Sequence, residues 1–181
     1  KEMTVEFYNQ GASDLHLGRT DSALRRFTYA IELSPEFAPP YVGRARIHLE
    51  AGRFALAVRD LTKAIELLPG RAELHVHRGH ARLAEGKLDD ALADFDLAAG
   101  LDSTLIAAVV GRGVVLRLRG NLEEAEKELT RALAMDPTRP ETHLERARVY
   151  LDWKLLADAE RDARESLRMR STSEGFHLLG V

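Results

Sequence analysis

The chain contains no cysteine, which excludes disulfide bonds and thiolate metal ligands and leaves its compartment open. It also lacks a long apolar run, because the longest one, from Leu105 to Gly111, is far shorter than the roughly 20 residues of a membrane-spanning helix. Neither sign of charge is in large excess, since the formal net charge is −3, and nucleic-acid binding usually requires a basic surface. The sequence therefore predicts neither direct membrane insertion nor a nucleic-acid partner.

The composition is that of a folded, soluble protein. Of the 181 residues, 45% are apolar and 30% are charged, a mixture that can bury a core and still expose a polar surface. Arginine outnumbers lysine 21 to 5, which favours a GC-rich, bacterial source. Cytoplasmic and periplasmic locations both remain open.

A repeat of 34 residues runs through the sequence. Frames that begin at Thr4 follow one another without a gap, and we number the positions of each frame from 1 to 34. The five frames are 4–37, 38–71, 72–105, 106–139 and 140–173. Position 8 holds Gly11, Ala45, Gly79, Gly113 and Ala147; position 20 holds Ala23, Ala57, Ala91, Ala125 and Ala159; position 27 holds Ala30, Ala64, Ala98, Ala132 and Ser166. Small residues at fixed points allow close helix packing, so each frame is predicted to form a helix pair, helix A and helix B.

Glycine and proline mark the ends of these helices. Position 15 holds Gly18, Gly52, Gly86, Gly120 and Lys154. Glycine there suits a left-handed residue that ends helix A. Position 32 holds Pro35, Pro69, Ser103, Pro137 and Thr172. Proline there ends helix B. The predicted helices are 5–17, 21–33, 39–51, 55–67, 73–85, 89–101, 107–119, 123–135, 141–153 and 157–169.

These features resemble the tetratricopeptide-repeat family. The 34-residue period, the bulky position 4 in Phe7 and Tyr41, and the order Gly or Ala, Gly, Ala, Phe, Ala, Pro all match it. The resemblance covers nearly the whole chain and implies an all-α fold, a right-handed α-solenoid of antiparallel helix hairpins in one domain over residues 1–181. Frame five departs most, with Lys154, Ala163 and Thr172 where glycine, a bulky residue and proline are expected.

Residues 174–181 carry the pattern further. Phe176, Leu179 and Gly180 match positions 4, 7 and 8, which predicts the start of a sixth repeat or a capping helix. Terminal repeats need a polar outer face, and this end is apolar. We therefore expect that the protein continues, or that this end packs on another chain, including a second copy in a homo-oligomer.

Positions 7 and 23 vary together. Position 7 holds Gln10, Arg44, Arg78, Arg112 and Arg146, and position 23 holds Arg26, Asp60, Asp94, Glu128 and Asp162. An acidic residue accompanies every arginine at position 7. Because both positions lie on facing helices of a hairpin, we predict four arginine–carboxylate pairs, within a repeat or between neighbours. An anionic-ligand site is the functional interpretation, and ion pairs that fix hairpin register are the structural one, which we favour.

The resemblance also implies a binding groove, because helix A lines the concave face in this family. Position 5 is apolar in every frame, and an exposed apolar stripe is typical of a binding surface. The predicted groove residues are Tyr8, Val42, Arg46, Val76, His77, His80, Val110, Val114, Leu144 and Arg148. An apolar peptide or an amphipathic helix fits such a groove. The alternative is that position 5 packs against the next repeat.

Other ligand chemistries are not indicated. The best-known subclass of the family binds acidic C-terminal tails through a carboxylate clamp, and Tyr8, Ala12 and Gly43 stand where that clamp needs Lys, Asn and Asn. His75, His77 and His80 lie close together, but a zinc site would need a third ligand with suitable geometry. Residues 111–113, Gly-Arg-Gly, lack the later glycine and the preceding strand of a phosphate loop. We predict no metal, no cofactor and no catalytic site.

The sequence thus predicts a non-enzymatic scaffold or adaptor whose partner is another protein or a peptide, bound in the concave groove. Two alternatives remain at this point. The chain is a regulatory or targeting module of a larger multidomain protein, such as an enzyme, or it is a self-association module.

Overall fold

A computed structural model describes residues 2–169, and these residues form ten helices and no strand. The first six are α1 (Glu2–His16), α2 (Thr20–Leu33), α3 (Pro39–Glu50), α4 (Phe54–Leu67), α5 (Ala72–Ala84) and α6 (Leu88–Leu101). The other four are α7 (Ile106–Leu118), α8 (Leu122–Met135), α9 (Pro140–Asp152) and α10 (Leu156–Met169). The fold is an all-α helical-repeat solenoid, as predicted. Observed and predicted helix bounds differ by at most three residues.

The helix ends explain the regular spacing of the frames. Gly18, Gly52, Gly86 and Gly120 end four of the A helices with φ between 67° and 82°, in the left-handed region that glycine adopts without strain. Lys154 takes the same conformation, with φ of 62°, although it carries a side chain. The backbone geometry of the fifth turn therefore follows the repeat even where the sequence departs from it.

The chain divides into two compact units, Lys1–Asp94 and Phe95–Val181. In the first unit, one core cluster contains Ala23, Phe27 and Ile47, and another contains Tyr41, Ala45, Leu61, Ala64 and Leu74. In the second unit, Ala125, Leu129 and Val149 form a core cluster. In each cluster, an alanine at position 8 or 20 packs against the bulky residue at position 24. A small residue is needed there because it leaves room for the larger side chain.

Some expectations lie outside what the structure describes. The predicted sixth repeat or cap at residues 174–181 falls outside residues 2–169, and a single domain over residues 1–181 stays a prediction. Within the described part of the chain, no helix has the length and apolar character needed to cross a membrane.

Candidate functional site

The first unit contains a cavity of about 570 Å³ on the helix-A side of its repeats, which we call the groove cavity. Three successive A helices contribute to its lining. They supply Tyr8 and Leu15 from α1, Val42 and Leu49 from α3, and Leu74 and His77 from α5. Its volume lies within the range of about 300–1,000 Å³ that is typical of ligand sites in proteins. It is large enough to take side chains from a bound peptide.

Phe27 forms the floor of the groove cavity beneath Gly43. The Phe27 ring belongs to α2 and is 1% exposed, and a Cβ atom on Gly43 would lie 2.6 Å from Phe27 Cζ, closer than packed carbon atoms come. Tyr8 packs against the same ring, with 6.0 Å between centroids, and meets Phe37 edge-on at 5.7 Å. The phenylalanine therefore requires the glycine, because its ring fills the space that a side chain at position 43 would take.

This pairing has a signal in the sequence that sequence reasoning missed. Position 24 reads Phe27, Leu61, Phe95 and Leu129 in the first four frames, and position 6 of the frame that follows reads Gly43, His77, Gly111 and Glu145. Each phenylalanine is followed by a glycine, and each leucine by a polar side chain. In the second unit, a Cβ on Gly111 would overlap the Phe95 ring. Residues 111–113 accordingly lie inside α7 and pack against the core rather than forming a loop.

The predicted groove residues of the first unit differ in what they expose. Tyr8, Val42, Arg46 and His77 line the groove cavity. Val42 is half-buried and also packs against the core cluster around Leu61. Val76 is only 5% exposed and offers almost no surface to a partner.

His77 and His80 stand one turn apart on α5, and both residues keep exposed surface. Desolvation nevertheless lowers the pKa of both imidazoles. At His77, Glu73 opposes this lowering of the pKa and Arg46 adds to it, while at His80 the neighbouring His77 adds to it. Both imidazoles therefore favour the neutral form more than a fully solvated histidine does.

In the second unit, the predicted residues lie among charged pairs. Val110 packs against the core cluster around Leu129, Val114 is half-buried and Leu144 is 6% exposed. Arg148 donates a hydrogen bond to Glu145 three residues earlier. Sequence reasoning missed one further pair on the A helices, in which Arg117 Nη1 lies 2.8 Å from Asp152 Oδ2.

Three of the four predicted arginine–carboxylate pairs form as direct contacts inside the hairpins. The distances are 2.7 Å for Arg44–Asp60, 2.7 Å for Arg78–Asp94 and 2.6 Å for Arg146–Asp162. Hydrogen bonds from Arg44 to Asp60 and from Arg146 to Asp162 raise the pKa of each guanidinium above its usual range. The fourth pair is looser. Arg112 lies 3.7 Å from Glu128 and comes closer, at 3.0 Å, to Asp96 of the preceding frame.

Asp96 stands at position 25 of its frame. In each case, the residue at that position is a second partner of the position-7 arginine in the following frame. Frames one, two and four carry threonine there, and Arg44, Arg78 and Arg146 donate to the hydroxyls of Thr28, Thr62 and Thr130 at 3.2, 3.1 and 2.9 Å. Each arginine thus joins its own helix B to the helix B before it. The prediction left open whether the arginines pair within a repeat or between neighbouring repeats. Each guanidinium makes contacts of both kinds.

Frame one reverses the charges of this arrangement. Arg26 occupies the acidic position, and its Nε lies 2.7 Å from Asp14 Oδ2, while Gln10 accepts a further hydrogen bond from Arg26. The Ser22 hydroxyl donates to the same Asp14 carboxylate at 2.6 Å. That bond contributes most to lowering the pKa of Asp14. The first hairpin therefore also contains an ion pair, but its carboxylate lies on helix A and its arginine on helix B.

The histidines do not converge on a common point. His75 Nδ1 lies 3.4 Å from Asp94 Oδ1 in the hairpin interior, whereas His77 lines the groove cavity. Within residues 2–169, no group of three His, Asp or Glu residues is placed to hold a metal ion. The buried charged groups instead belong to the interiors of the hairpins.

Comparison with known proteins gives matches at the levels of family and fold. A family model described as "Tetratricopeptide repeat" matches residues 42–105 and 111–174. No curated protein matches the chain.

Solved structures of similar fold include a thermophilic tetratricopeptide-repeat protein from Thermus thermophilus. It is 22% identical, with 98% of this chain and 100% of that one covered and a TM-score of 0.79. PilW, a type IV pilus biogenesis factor, is 19% identical over 99% of this chain and 87% of its own, with a TM-score of 0.85. YrrB, described as having an unusual peptide-binding site, is 17% identical over 97% of this chain and 91% of its own, with a TM-score of 0.76. At these identities the likeness concerns the fold.

Proposed function

The chain belongs to the tetratricopeptide-repeat family, and from that we propose that it is an interaction module that holds a peptide segment of another protein in its groove cavity. Proteins of this family bind other proteins or peptides and are generally non-catalytic scaffolds. The observation that carries the proposal is the groove cavity itself, which is lined by apolar side chains from three successive A helices. Apolar surface that is open to solvent in a concave site favours binding of an apolar or amphipathic segment.

We also infer that the chain has no catalytic activity of its own. The buried carboxylates of Asp60, Asp94 and Asp162 each contact an arginine and a histidine inside a hairpin. Groups held in this way connect helices and do not face the groove cavity. YrrB supports a peptide as the occupant only at the level of a shared fold.

A selection from a random 12-residue peptide library tests this function. Ala12 is exposed and lines the groove cavity, so Ala12→Trp inserts a bulky neutral side chain there without disturbing the core. The matched control is Ala55→Trp, because Ala55 is an exposed alanine of α4 outside the lining. Circular dichroism checks that both variants fold.

We expect the selected peptides to bind the unmodified chain and Ala55→Trp equally, and to bind Ala12→Trp at least about tenfold more weakly. Fluorescence anisotropy of labelled peptides measures the three affinities. Equal affinity for the two variants, or a selection that yields no binding peptide, would show that the groove cavity is not the binding site.

A further inference from the structure

The lining of the groove cavity carries charge of one sign. Among residues 2–169, Arg46, Arg71, His16 and His77 belong to it, whereas no aspartate or glutamate does. Apolar side chains form the rest of the lining apart from Tyr8, and Phe27, Leu61 and Leu74 are its most deeply buried members. The cavity therefore combines an apolar floor with cationic or protonatable groups around it.

The two arginines are held by weak contacts that a ligand can replace. Arg46 Nε lies 3.0 Å from Glu50 Oε1, and Arg71 Nε lies 3.5 Å from Glu73 Oε2. All four side chains are more than half exposed, from 55% to 69%. Exposed ion pairs of this kind contribute about 0–1 kcal/mol. A carboxylate of a bound segment can thus engage either arginine at little cost.

The A helices of the second unit are built differently. Arg117 contacts Asp152 and Arg148 contacts Glu145, so these arginines are paired like Arg46 and Arg71, but their side chains are less exposed. Arg117 is only 18% exposed in its side chain. The arginines of the groove cavity are therefore more accessible to a ligand than Arg117 and Arg148 of the second unit.

Gly43 adds a steric feature to this charge pattern. The Phe27 ring excludes any side chain at position 43, so α3 contributes only backbone to the lining there, next to the half-buried Val42. A large apolar side chain from a ligand can contact the half-buried side chains of Tyr8 and Val42 in the lining. Arg46 and Arg71, both exposed, stand among the groups that line the cavity.

We propose that the groove cavity binds an acidic segment of another protein, in which a large apolar residue is flanked by aspartate or glutamate. This inference rests on the proposed function and specifies the chemistry of the partner. The apolar residue contacts Tyr8 and Val42, and the flanking carboxylates accept hydrogen bonds from Arg46 and Arg71. Charge complementarity of this kind raises the association rate and selects against basic segments.

The peptides selected from the random library provide the test. Those whose binding is weakened by Ala12→Trp are sequenced, and their acidic residues are replaced by the corresponding amides. We expect an aromatic or large aliphatic residue next to aspartate or glutamate in most of them, and a loss of affinity of about tenfold on replacement by amides at low salt.

Matched variants of the protein test whether Arg46 and Arg71 bind the acidic residues of these peptides. The double variant Arg46→Gln/Arg71→Gln is expected to bind the acidic peptides about tenfold more weakly and their amide versions unchanged. Arg59→Gln is the control, since Arg59 is an exposed arginine of α4 outside the lining.

The two proposals fail in different ways. Groove-dependent peptides that are neutral or basic, or a change below about twofold in the double variant, would overturn the acidic segment and leave the binding function in place. Binding that Ala12→Trp does not weaken would overturn both.

Discussion

Arg44 and Asp60 form a bidentate ion pair inside the second hairpin, with Nε–Oδ2 and Nη2–Oδ1 distances of 2.7 and 2.8 Å. The Asp60 side chain is 2% exposed and the Arg44 side chain 13%. Arg44 Nη1 also donates to the Thr28 hydroxyl of the preceding repeat at 3.2 Å. One side chain thus connects α3, α4 and α2, so the pair acts on the packing between repeats as well as within one.

Removal of one partner of this pair should be far more destabilising than removal of both. Asp60→Leu leaves Arg44 buried without its carboxylate, and we expect it to lower the free energy of unfolding by about 3–5 kcal/mol. Arg44→Leu/Asp60→Leu should recover most of that loss, because apolar residues in place of both charges are often neutral or stabilising. Urea denaturation followed by circular dichroism measures both values.

The control for this pair is Asp21→Leu, since Asp21 is an exposed aspartate of α2, where a change of about 0.5 kcal/mol or less is expected. A double variant as unstable as the sum of the two single variants would contradict the prediction.

Gly43 and Phe27 should show strong energetic coupling. Gly43→Ala places a Cβ 2.6 Å from Phe27 Cζ, so we expect it to destabilise the chain by about 1–3 kcal/mol despite the better helix propensity of alanine. Phe27→Leu removes the clash, and Gly43→Ala/Phe27→Leu should be more stable than the sum of the single effects by at least about 1 kcal/mol. Urea denaturation of the four proteins gives the coupling energy.

Gly100 is the control glycine for this cycle. It lies in α6 with open space where its Cβ would stand, so Gly100→Ala should stabilise the chain by up to about 1 kcal/mol and show no coupling to Phe27→Leu. Additive effects of Gly43→Ala and Phe27→Leu would show that the ring can move aside.

The sequence predicts the helices and the ion pairs because both depend on spacing. Positions 7 and 23 lie 16 residues apart in every frame, and Arg78–Asp94 and Arg146–Asp162 form at that spacing as predicted. The shift of Arg112 toward Asp96 could not be predicted in the same way. It depends on an acid in place of threonine at position 25, a position that pairs across repeats and not within one.

The candidate site is harder to predict than the fold because helical periodicity assigns a residue to a face only coarsely. Val42 and Val76 share position 5, yet Val42 lines the groove cavity and Val76 is buried. Their neighbours also differ, since Phe27 requires Gly43 in the second frame, whereas His77 follows Leu61 in the third. Packing between side chains of different lengths therefore decides which residues of the face remain accessible.

Lys154 offers a simple route to a more stable chain. It adopts φ of 62°, a conformation that costs a residue with a Cβ about 1–2 kcal/mol and glycine almost nothing. Lys154→Gly should therefore raise the free energy of unfolding by about 1 kcal/mol, as measured by urea denaturation. Gly120→Lys, at φ of 82°, is the reverse change and should lower it by a similar amount. Unchanged or reduced stability of Lys154→Gly would show that the lysine side chain offsets the strain.

The buried histidine of the second hairpin should make stability depend on pH. His48 is 5% exposed, and burial is the main cause that lowers its pKa below the usual 6.5, with Asp60 opposing and Arg53 and Arg44 adding to the effect. The unfolded chain then binds more protons than the folded one as the pH falls through 6.5. The free energy of unfolding should consequently fall as the pH drops from about 7.5 to 5.5, in a window where most carboxylates stay ionised.

His48→Leu isolates this contribution, because Leu116 occupies the same position of the fourth frame and shows that leucine fits there. The variant should show a smaller loss of stability between about pH 7.5 and 5.5 than the unmodified chain, whereas His16→Gln, at an exposed site, should keep the full loss. His77 and His80 also have a lowered pKa, so part of the slope should remain in His48→Leu. An unchanged slope would mean that His48 gains a proton in the folded chain as readily as in the unfolded one, with Asp60, 3.8 Å from its Nε2, offsetting the effect of burial.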